Sequence, residues 1–294
     1  MGNICMLVGN GFTIDFSEKV GLNPSQPLSK FENEGISYSH FLPKLPAIRE
    51  ELFPLAKGEK NDYLAIEKFM GSPSYNWDKD CQLRRFLSLS YATLQLQLEH
   101  HNISQWHWTK WFREHRDELG MFVSFNYDLL LEKSLKVAGV RYYRTGSDEE
   151  PVGVPIVKPH GSIDFDIDSD HRSSERWEYT TALLDEGKVE TVPKQEWLEP
   201  RFEADIIPPH KENYQRSLRW VKEGIATFKE AAGEFDTFII VGHSYNEADR
   251  QEIDQYLENL HPGTRIEIVD PEPNKLLVAK INALGLELHR AGDQ

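Results

Sequence analysis

The chain has 294 residues, a formal net charge of −15 at pH 7 and only two cysteines. This length suffices for one large α/β domain, with or without an insertion, and does not require two globular domains. The negative charge would repel a phosphate backbone, and no basic stripe offsets it, so we do not expect direct nucleic-acid binding. Two cysteines fit a reducing compartment and cannot form a zinc site built on CxxC pairs.

The apolar runs are of strand length, far shorter than a bilayer requires. The opening residues, MGNICMLVGNG, lack the basic region of an export signal. We therefore expect a cytoplasmic protein that does not bind membranes.

Short apolar runs alternate with amphipathic helical patterns along much of the chain. The predicted strands are Ile4–Val8, Met121–Phe125, Val154–Val157, Ala204–Ile207, Phe238–Val241 and Ile266–Val269. The predicted helices are Leu129–Val137, Tyr214–Ala232, Asp249–Leu260 and Lys275–Leu284. Strands without polar alternation, separated by helices, predict a doubly wound, Rossmann-like α/β fold with a parallel sheet.

Two stretches interrupt this alternation. Residues 28–118 contain only helical patterns, at roughly 40–56, 61–70, 80–101 and 104–117. We interpret them as an all-helical module inserted after the first strand of a single domain. Residues 166–203 are polar and predict a long loop or a small subdomain.

The first predicted strand runs into a Gly-x-Gly turn, Gly9-Asn10-Gly11-Phe12. Glycine at such a turn lets backbone approach a pyrophosphate, with a helix N-terminus behind it. The third glycine of the usual dinucleotide fingerprint is absent, and similar turns occur without ligands. Both interpretations stay open for this motif alone.

Asn126 and Asp128 follow the second predicted strand, in the segment SFNYD. Either side chain could cap the following helix. Alternatively, the carboxyl end of a parallel strand would direct both into a ligand crevice.

His160 follows the third predicted strand, in KPHGS, beside Gly161. A histidine here could be a hydrogen-bonded structural residue. Imidazole is also the side chain best suited to accept a proton near neutral pH, so a general base is the competing interpretation.

Two later strands end in Gly242-His243-Ser244 and in Asp270. Asp270 stands where a carboxylate can accept hydrogen bonds from ribose hydroxyls. A rival interpretation is an α/β-hydrolase, because Ser244, Asp270 and His289 follow the chain order of its triad. Asn246 replaces the second glycine of that family's nucleophile elbow, which argues against the rival.

Taken together, GNGFTIDF, SFNYD, KPHGS and GHS followed by IVD resemble the successive motifs of the sirtuin family. Within that resemblance, the chain is closer to the zinc-free, sirtuin-like NAD hydrolases of bacterial anti-phage defence systems than to the protein-deacylating sirtuins. The resemblance covers roughly residues 3–18, 119–165 and 204–290. It does not cover the helical module.

The resemblance implies that NAD is the substrate. It implies His160 as general base, Asn126 as the group that orients water or ribose, and Asp128 as an electrostatic contributor. The residues it implies for NAD binding are Gly9, Asn10, Gly11, Phe12, Asp15, Gly161, Gly242, His243, Ser244 and Asp270. Protein-deacylating sirtuins use a four-cysteine zinc module that this chain cannot form, so we expect NAD hydrolysis without a metal.

We therefore expect an NAD glycohydrolase that releases nicotinamide and ADP-ribose and depletes NAD during anti-phage defence. Resemblance to two-gene defence systems implies a homo-oligomer and a HerA-type ATPase partner. The alternatives are a non-catalytic module that binds NAD or ADP-ribose and, behind it, the Ser244 hydrolase.

Overall fold

A computed structural model describes residues 2–22, 42–59, 62–167, 189–198, 204–210, 213–215 and 218–290. Its strands are β1 (Ile4–Val8), β2 (Leu119–Ser124), β3 (Tyr142–Arg144), β4 (Val154–Val157), β5 (Gly161–Ile167), β6 (Val189–Thr191), β7 (Ala204–Ile206), β8 (Thr237–Val241), β9 (Arg265–Val269) and β10 (Glu287–Arg290). Its α-helices are α1 (Asn10–Lys19), α2 (Phe53–Gly58), α3 (Asp62–Met70), α4 (Trp77–Glu99), α5 (His107–Glu114), α6 (Leu130–Ala138), α7 (Arg219–Ala231), α8 (Arg250–Glu258) and α9 (Lys275–Ala283).

Seven strands form one sheet in the order β10-β9-β8-β1-β2-β4-β3. Every pairing in this sheet is parallel. Because β1 lies at the centre, the chain winds outward from it in both directions, as in other doubly wound folds. The predicted fold class is confirmed.

The central strand divides the core into two layers. Along β1, alternate side chains point to opposite faces of the sheet. Ile4, Met6 and Val8 belong to the apolar cluster that includes residues of α1, α5 and α6. Cys5 and Leu7 belong to the cluster on the other face, with residues of α7, α8 and α9. Burial on both faces explains why the strand reads as an unbroken apolar run.

The secondary-structure elements described between β1 and β2 are all helices. A π-helical turn at Ile48–Leu52 leads into α2, and α3, α4 and α5 follow. The helix α4 spans 23 residues and begins at Asn76, whose side chain accepts from the backbone N–H of Lys79. The helices α3 and α4 approach the carboxyl edge of the sheet and cover it.

A second, three-stranded sheet has the order β6-β5-β7, with antiparallel pairing. The prediction that Ala204–Ile207 belongs to the parallel sheet is wrong, because Ala204–Ile206 pairs with β5 instead. Only residues 158–160 separate β4 from β5, and Gly161 has φ +79. So short a connection cannot form a parallel crossover, so β5 leaves the main sheet and takes antiparallel partners.

Most of the predicted loop or subdomain at 166–203 lies outside the described residues. Sequence patterns did not reveal β3, β5, β6 or β10, three of which are four residues or shorter. Among the described helices, none combines the length and apolar character needed to cross a membrane.

Candidate functional site

A cavity of about 500 Å³ opens at the carboxyl edge of the parallel sheet. Its floor comes from the segments that follow β9, β8, β1, β2 and β4, which are five neighbouring strands. The residues that line it are Asn10, Gly11, Ile14, Asp62, Tyr63, Ile66, Leu87, Tyr91, Phe125, Asn126, Tyr127, Asp128, His160, Pro209, Gly242, His243, Ser244, Asn246, Asp249 and Asp270. The size is typical of small-molecule and cofactor sites, which span about 300–1,000 Å³.

The helices α3 and α4 supply the roof of this cavity. Asp62, Tyr63 and Ile66 come from α3, and Leu87 and Tyr91 come from α4. Two of these five side chains are aliphatic and two are aromatic, so the roof is largely apolar. Its aromatic rings offer a surface for a planar ring.

Tyr63 ties this roof to the sheet. Its hydroxyl donates to Asn246 Oδ1 across 3.4 Å, a long hydrogen bond to the segment after β8. This contact joins α3 to the segment after β8.

Asn126, Thr13 and Asp128 form a buried hydrogen-bond network at the floor. Asn126 Nδ2 donates to Gly9 O at 2.9 Å and to Thr13 Oγ1 at 3.1 Å. The Thr13 hydroxyl donates in turn to Asp128 Oδ2 at 2.8 Å. With the amide nitrogen fixed, no described residue donates to Asn126 Oδ1, which leaves this acceptor for a ligand.

Asp128 forms hydrogen bonds that give it a structural role at the start of α6. Its Oδ1 accepts from the backbone N–H of Leu130 at 3.0 Å, at the start of α6. Burial raises the pKa of this carboxyl, although the nearby Lys158 ammonium opposes the shift. Lys158 itself is buried and bonds Asp128 O and Glu132 Oε1 at 2.8 and 3.0 Å. Lys158, which follows β4, therefore links this strand end to α6.

His160 lies at the cavity wall with its imidazole almost fully buried. Its Nε2 donates to Glu252 Oε2 at 2.6 Å, and Asp249 Oδ1 lies 3.9 Å from the same nitrogen. The ring of Phe125 packs edge-on against it, with centroids 5.0 Å apart. Two carboxylates therefore face one imidazole, an arrangement that favours a positive charge on the ring when it takes up a proton.

His243 has a defined tautomer. The backbone N–H of Tyr245 donates to Nδ1 at 3.0 Å, so the proton of the neutral ring is on Nε2. That nitrogen lies 3.5 Å from Asp249 Oδ2. Burial lowers the pKa of His243, even though the Asp249 charge acts in the opposite direction. His243 is therefore a neutral donor toward Asp249 at pH 7.

The two oxygens of Asp249 differ in their surroundings. Oδ2 accepts from Asn246 Nδ2 at 3.1 Å and faces His243. Oδ1 is buried, and no described residue donates a hydrogen bond to it. Since the residue lines the cavity and is 8% exposed, a bound molecule can supply the missing donor or positive charge.

One set of residues in the described part of the chain could hold a metal ion. Ligand atoms of His160, Asp249 and Glu252 lie within 4.8 Å of one another. The separation of 2.6 Å between His160 Nε2 and Glu252 Oε2 is that of a charge-assisted hydrogen bond. The imidazole and Glu252 therefore satisfy each other directly.

The glycines of two strand-end turns pack against each other. A Cβ on Gly11 would lie 2.5 Å from Gly242 Cα, and Gly242 has φ +56. The N–H groups of Gly9, Gly11 and Phe12 donate to Val241 O, Gly242 O and Gly9 O respectively. Backbone carbonyls of the same two turns therefore accept from these N–H groups, and Gly11 itself lines the cavity.

Some of the remaining predicted site residues line the cavity, and others lie outside it. Asn10, Gly242, Ser244 and Asp270 line the cavity. Phe12 is fully buried, and its ring packs against Trp106 with centroids 4.7 Å apart.

Three predicted residues lie outside the cavity lining for other reasons. Asp15 accepts from Trp106 Nε1 at 2.6 Å and pairs with Lys19. Gly161 begins β5 and turns the chain. Gly9 accepts from Asn126 at the rear of the site.

Sequence reasoning missed the second half of the site. Asp249 and Glu252 precede or begin α8, three residues apart, and both face His160. The predicted helix Asp249–Leu260 contained both, and its i, i+3 acidic pair following GHSYN was the available signal. Nothing in the pattern showed that this pair would meet a histidine 92 positions earlier in the chain.

The residues of the rival hydrolase triad are not joined. Ser244 Oγ accepts from Asn246, Asp270 accepts from the backbone N–H of Glu272, and His289 bonds Glu287 on β10. None of these contacts links two members of the triad. The described structure thus provides no base for a Ser244 nucleophile.

No protein-family model matches the chain, and no curated protein matches it either. Among solved structures, one described as "Structural Basis for the Mechanism and Regulation of Sir2 Enzymes" aligns over 99% of this chain and 87% of its own, at 12% sequence identity and a TM-score of 0.36. Because the TM-score is so low, this similarity carries no functional information, and the cavity residues have to supply it.

Proposed function

We propose that this protein hydrolyses NAD⁺ at the nicotinamide–ribose bond, giving nicotinamide and ADP-ribose. The observation that carries the proposal is the meeting of His160, Asn126 and Asp270 in one cavity at the ends of neighbouring parallel strands. This edge of an α/β sheet is where such folds bind nucleotides. The order of the four strand-end motifs, similar to that of sirtuin-like NAD hydrolases, supports the same substrate.

The charge of the cavity supports a ligand that carries a positive group. Four aspartates line it, Asp62, Asp128, Asp249 and Asp270, and no lysine or arginine does so among the described residues. A nicotinamide ribosyl group combines a cationic ring with hydroxyl donors, which suits carboxylate acceptors. The apolar roof suits the flat face of that ring.

The chemistry requires little proton transfer. The C1′–N bond breaks with its electron pair leaving on nicotinamide, which becomes neutral. Water forms the new bond to C1′ and loses one proton, so NAD⁺ and water give nicotinamide, ADP-ribose and H⁺. His160 accepts that proton, Glu252 stabilises the resulting imidazolium, and Asn126 Oδ1 accepts a hydrogen bond from the water or a ribose hydroxyl.

By the same resemblance, we propose that the activity depletes cellular NAD in anti-phage defence, in the cytoplasm. We further propose that the chain acts as a homo-oligomer and is activated by a HerA-type ATPase partner. Depletion by an unregulated enzyme would kill the host, which supports control of the activity by a partner.

Nicotinamide release from NAD⁺ tests the proposal. Purified wild type, with and without the co-expressed ATPase, is compared with His160→Ala, Asn126→Ala and the exposed control His100→Ala. We expect His160→Ala to slow release about 10²–10⁴-fold, the usual contribution of a general base. His100→Ala keeps the wild-type rate.

The alternatives give different outcomes in the same assay. Binding of NAD without nicotinamide release under every condition would favour a non-catalytic NAD or ADP-ribose module. Turnover of an ester substrate that Ser244→Ala abolishes would favour the hydrolase.

A further inference from the structure

Asp249 presents an unsatisfied negative charge to the cavity. The residue is 8% exposed, and its Oδ1 has no hydrogen-bond donor among the described residues. A buried acceptor without a partner destabilises the fold, a charged one most of all, so such atoms call for an explanation. The cavity wall is where a ligand would remove that cost.

The surroundings fix Asp249 in this position. Asn246 Nδ2 donates to Oδ2, and Asn246 Oδ1 accepts from the backbone N–H groups of Ala248 and Asp249. His243 Nε2–H faces the same Oδ2 at 3.5 Å. The carboxylate therefore cannot rotate to satisfy Oδ1 without losing partners of Oδ2.

The neighbouring histidine does not donate a hydrogen bond to Oδ1. His160 Nε2 lies 3.9 Å away, beyond hydrogen-bond distance, and is bonded to Glu252 at 2.6 Å. The hydrogen bond of this nitrogen therefore goes to Glu252 and not to Asp249. The carboxylate charge of Asp249 thus remains directed at whatever occupies this end of the cavity.

We propose that Asp249 is the residue that distinguishes the cationic nicotinamide of NAD⁺ from the neutral dihydronicotinamide of NADH. This inference rests on the proposed function for the identity of the ligand and names the residue that recognises its charge. The carboxylate attracts the positive ring, and the same charge faces the ribosyl centre as it becomes positive during bond cleavage. The neutral reduced ring gains nothing from it.

Asp270 provides a matched control in the same cavity. It is also an aspartate at a strand end, but it stands where a carboxylate contacts ribose, a group common to NAD⁺ and NADH. Asp249→Asn therefore changes the preference between the two ligands, whereas Asp270→Asn weakens both equally. Asparagine keeps the size of each side chain, and thermal denaturation checks that each variant folds.

Calorimetric titration with carba-NAD⁺ and with NADH makes the test independent of turnover, because carba-NAD⁺ carries the cationic ring on a bond that water does not cleave. We expect wild type to bind carba-NAD⁺ at least about tenfold more tightly than NADH, from a charge interaction across a few ångströms. Asp249→Asn should bring the two affinities to within about twofold, and Asp270→Asn should keep the wild-type ratio.

The other outcomes distinguish failure of the Asp249 inference from failure of the proposed NAD hydrolysis. A wild type without preference, or an Asp249→Asn variant that keeps it, overturns the inference. A wild type that shows the preference, loses it in Asp249→Asn and yet releases no nicotinamide from NAD⁺ supports the inference and contradicts NAD hydrolysis. A wild type that binds neither ligand overturns both.

Discussion

The floor of the cavity contains two polar clusters that differ in how far their hydrogen bonds are satisfied. Around Thr13 and Asp128, both carboxylate oxygens have donors and the threonine hydroxyl both donates and accepts. Around His160 and Asp249, the imidazole is paired, but Asp249 Oδ1 is buried without a donor among the described residues. The first cluster is satisfied by its own members, whereas the second leaves one acceptor open within the described part of the chain.

This difference changes the roles expected of the residues in the segment SFNYD. Asp128 accepts from the backbone N–H of Leu130 and from the Thr13 hydroxyl, so its carboxylate is occupied by structural partners. Asn126 keeps one atom, Oδ1, for a ligand. Substitutions that separate stability from activity test the distinction between the two clusters directly.

Among these substitutions, the largest effect on activity is expected for Glu252, in the second cluster. Glu252→Gln keeps the shape but replaces a charged acceptor by a neutral one, a loss of about 1–2 kcal/mol. Nicotinamide release should slow about tenfold, since 1.36 kcal/mol corresponds to a factor of ten. The acid limb of the pH–rate profile should move to lower pH, because the imidazolium loses its negative neighbour.

The matched control for this change is Glu258→Gln on the same helix, where the side chain is 51% exposed and pairs with Lys280. Glu258→Gln should leave the rate of nicotinamide release and its pH profile unchanged. A Glu252→Gln variant with an unshifted profile would show that Glu252 only packs beside His160.

Thr13 tests the first cluster. Thr13→Val removes the donor to Asp128 and the acceptor of Asn126, and we expect it to lower the free energy of unfolding by about 1–3 kcal/mol. Urea denaturation measures this loss. Thr109→Val is the control, because Thr109 is equally buried but its hydroxyl has no partner among the described residues, so its loss is neutral or stabilising. Equal losses in both variants would contradict a stabilising network.

The smallest effect concerns the pH dependence contributed by His243. Burial lowers the pKa of its imidazole below the ordinary value, so the unfolded chain binds the proton more readily. The stability that neutral His243 contributes is present above about pH 6.5 and is lost as the pH falls through the lower folded value. At pH 5.5 the loss is at most about 1.4 kcal/mol.

His243→Asn provides the measurement for this prediction, because its amide oxygen can still accept from the backbone N–H of Tyr245. Urea denaturation at pH 7.5 and pH 5.5 should show a smaller fall in stability for the variant than for wild type. An identical fall in both would mean that His243 does not titrate in this range.

The sequence by itself determined the parallel sheet and most of its helices. Runs such as Ile4–Val8 are buried on both faces, and that condition leaves a continuous apolar pattern that needs no partner to be recognised. The sequence also predicted that Asn126, His160 and Asp270 lie near one another, because each follows a strand and parallel strands place their carboxyl ends at one edge of the sheet. Short edge strands such as Tyr142–Arg144 leave too few residues for a period to appear.

Only the tertiary structure decided which side chains face each other. Phe12, next to the Gly-x-Gly turn, enters the aromatic core because the first turn of α1 directs it there. Glu252 reaches His160 because α8 follows β8 along the edge of the sheet, a contact set by packing between helices and strands distant in sequence. Local sequence patterns indicate burial and secondary structure, whereas hydrogen bonds between separate elements depend on how those elements pack. The position of the Asp249 carboxylate beside His160 follows only from that packing.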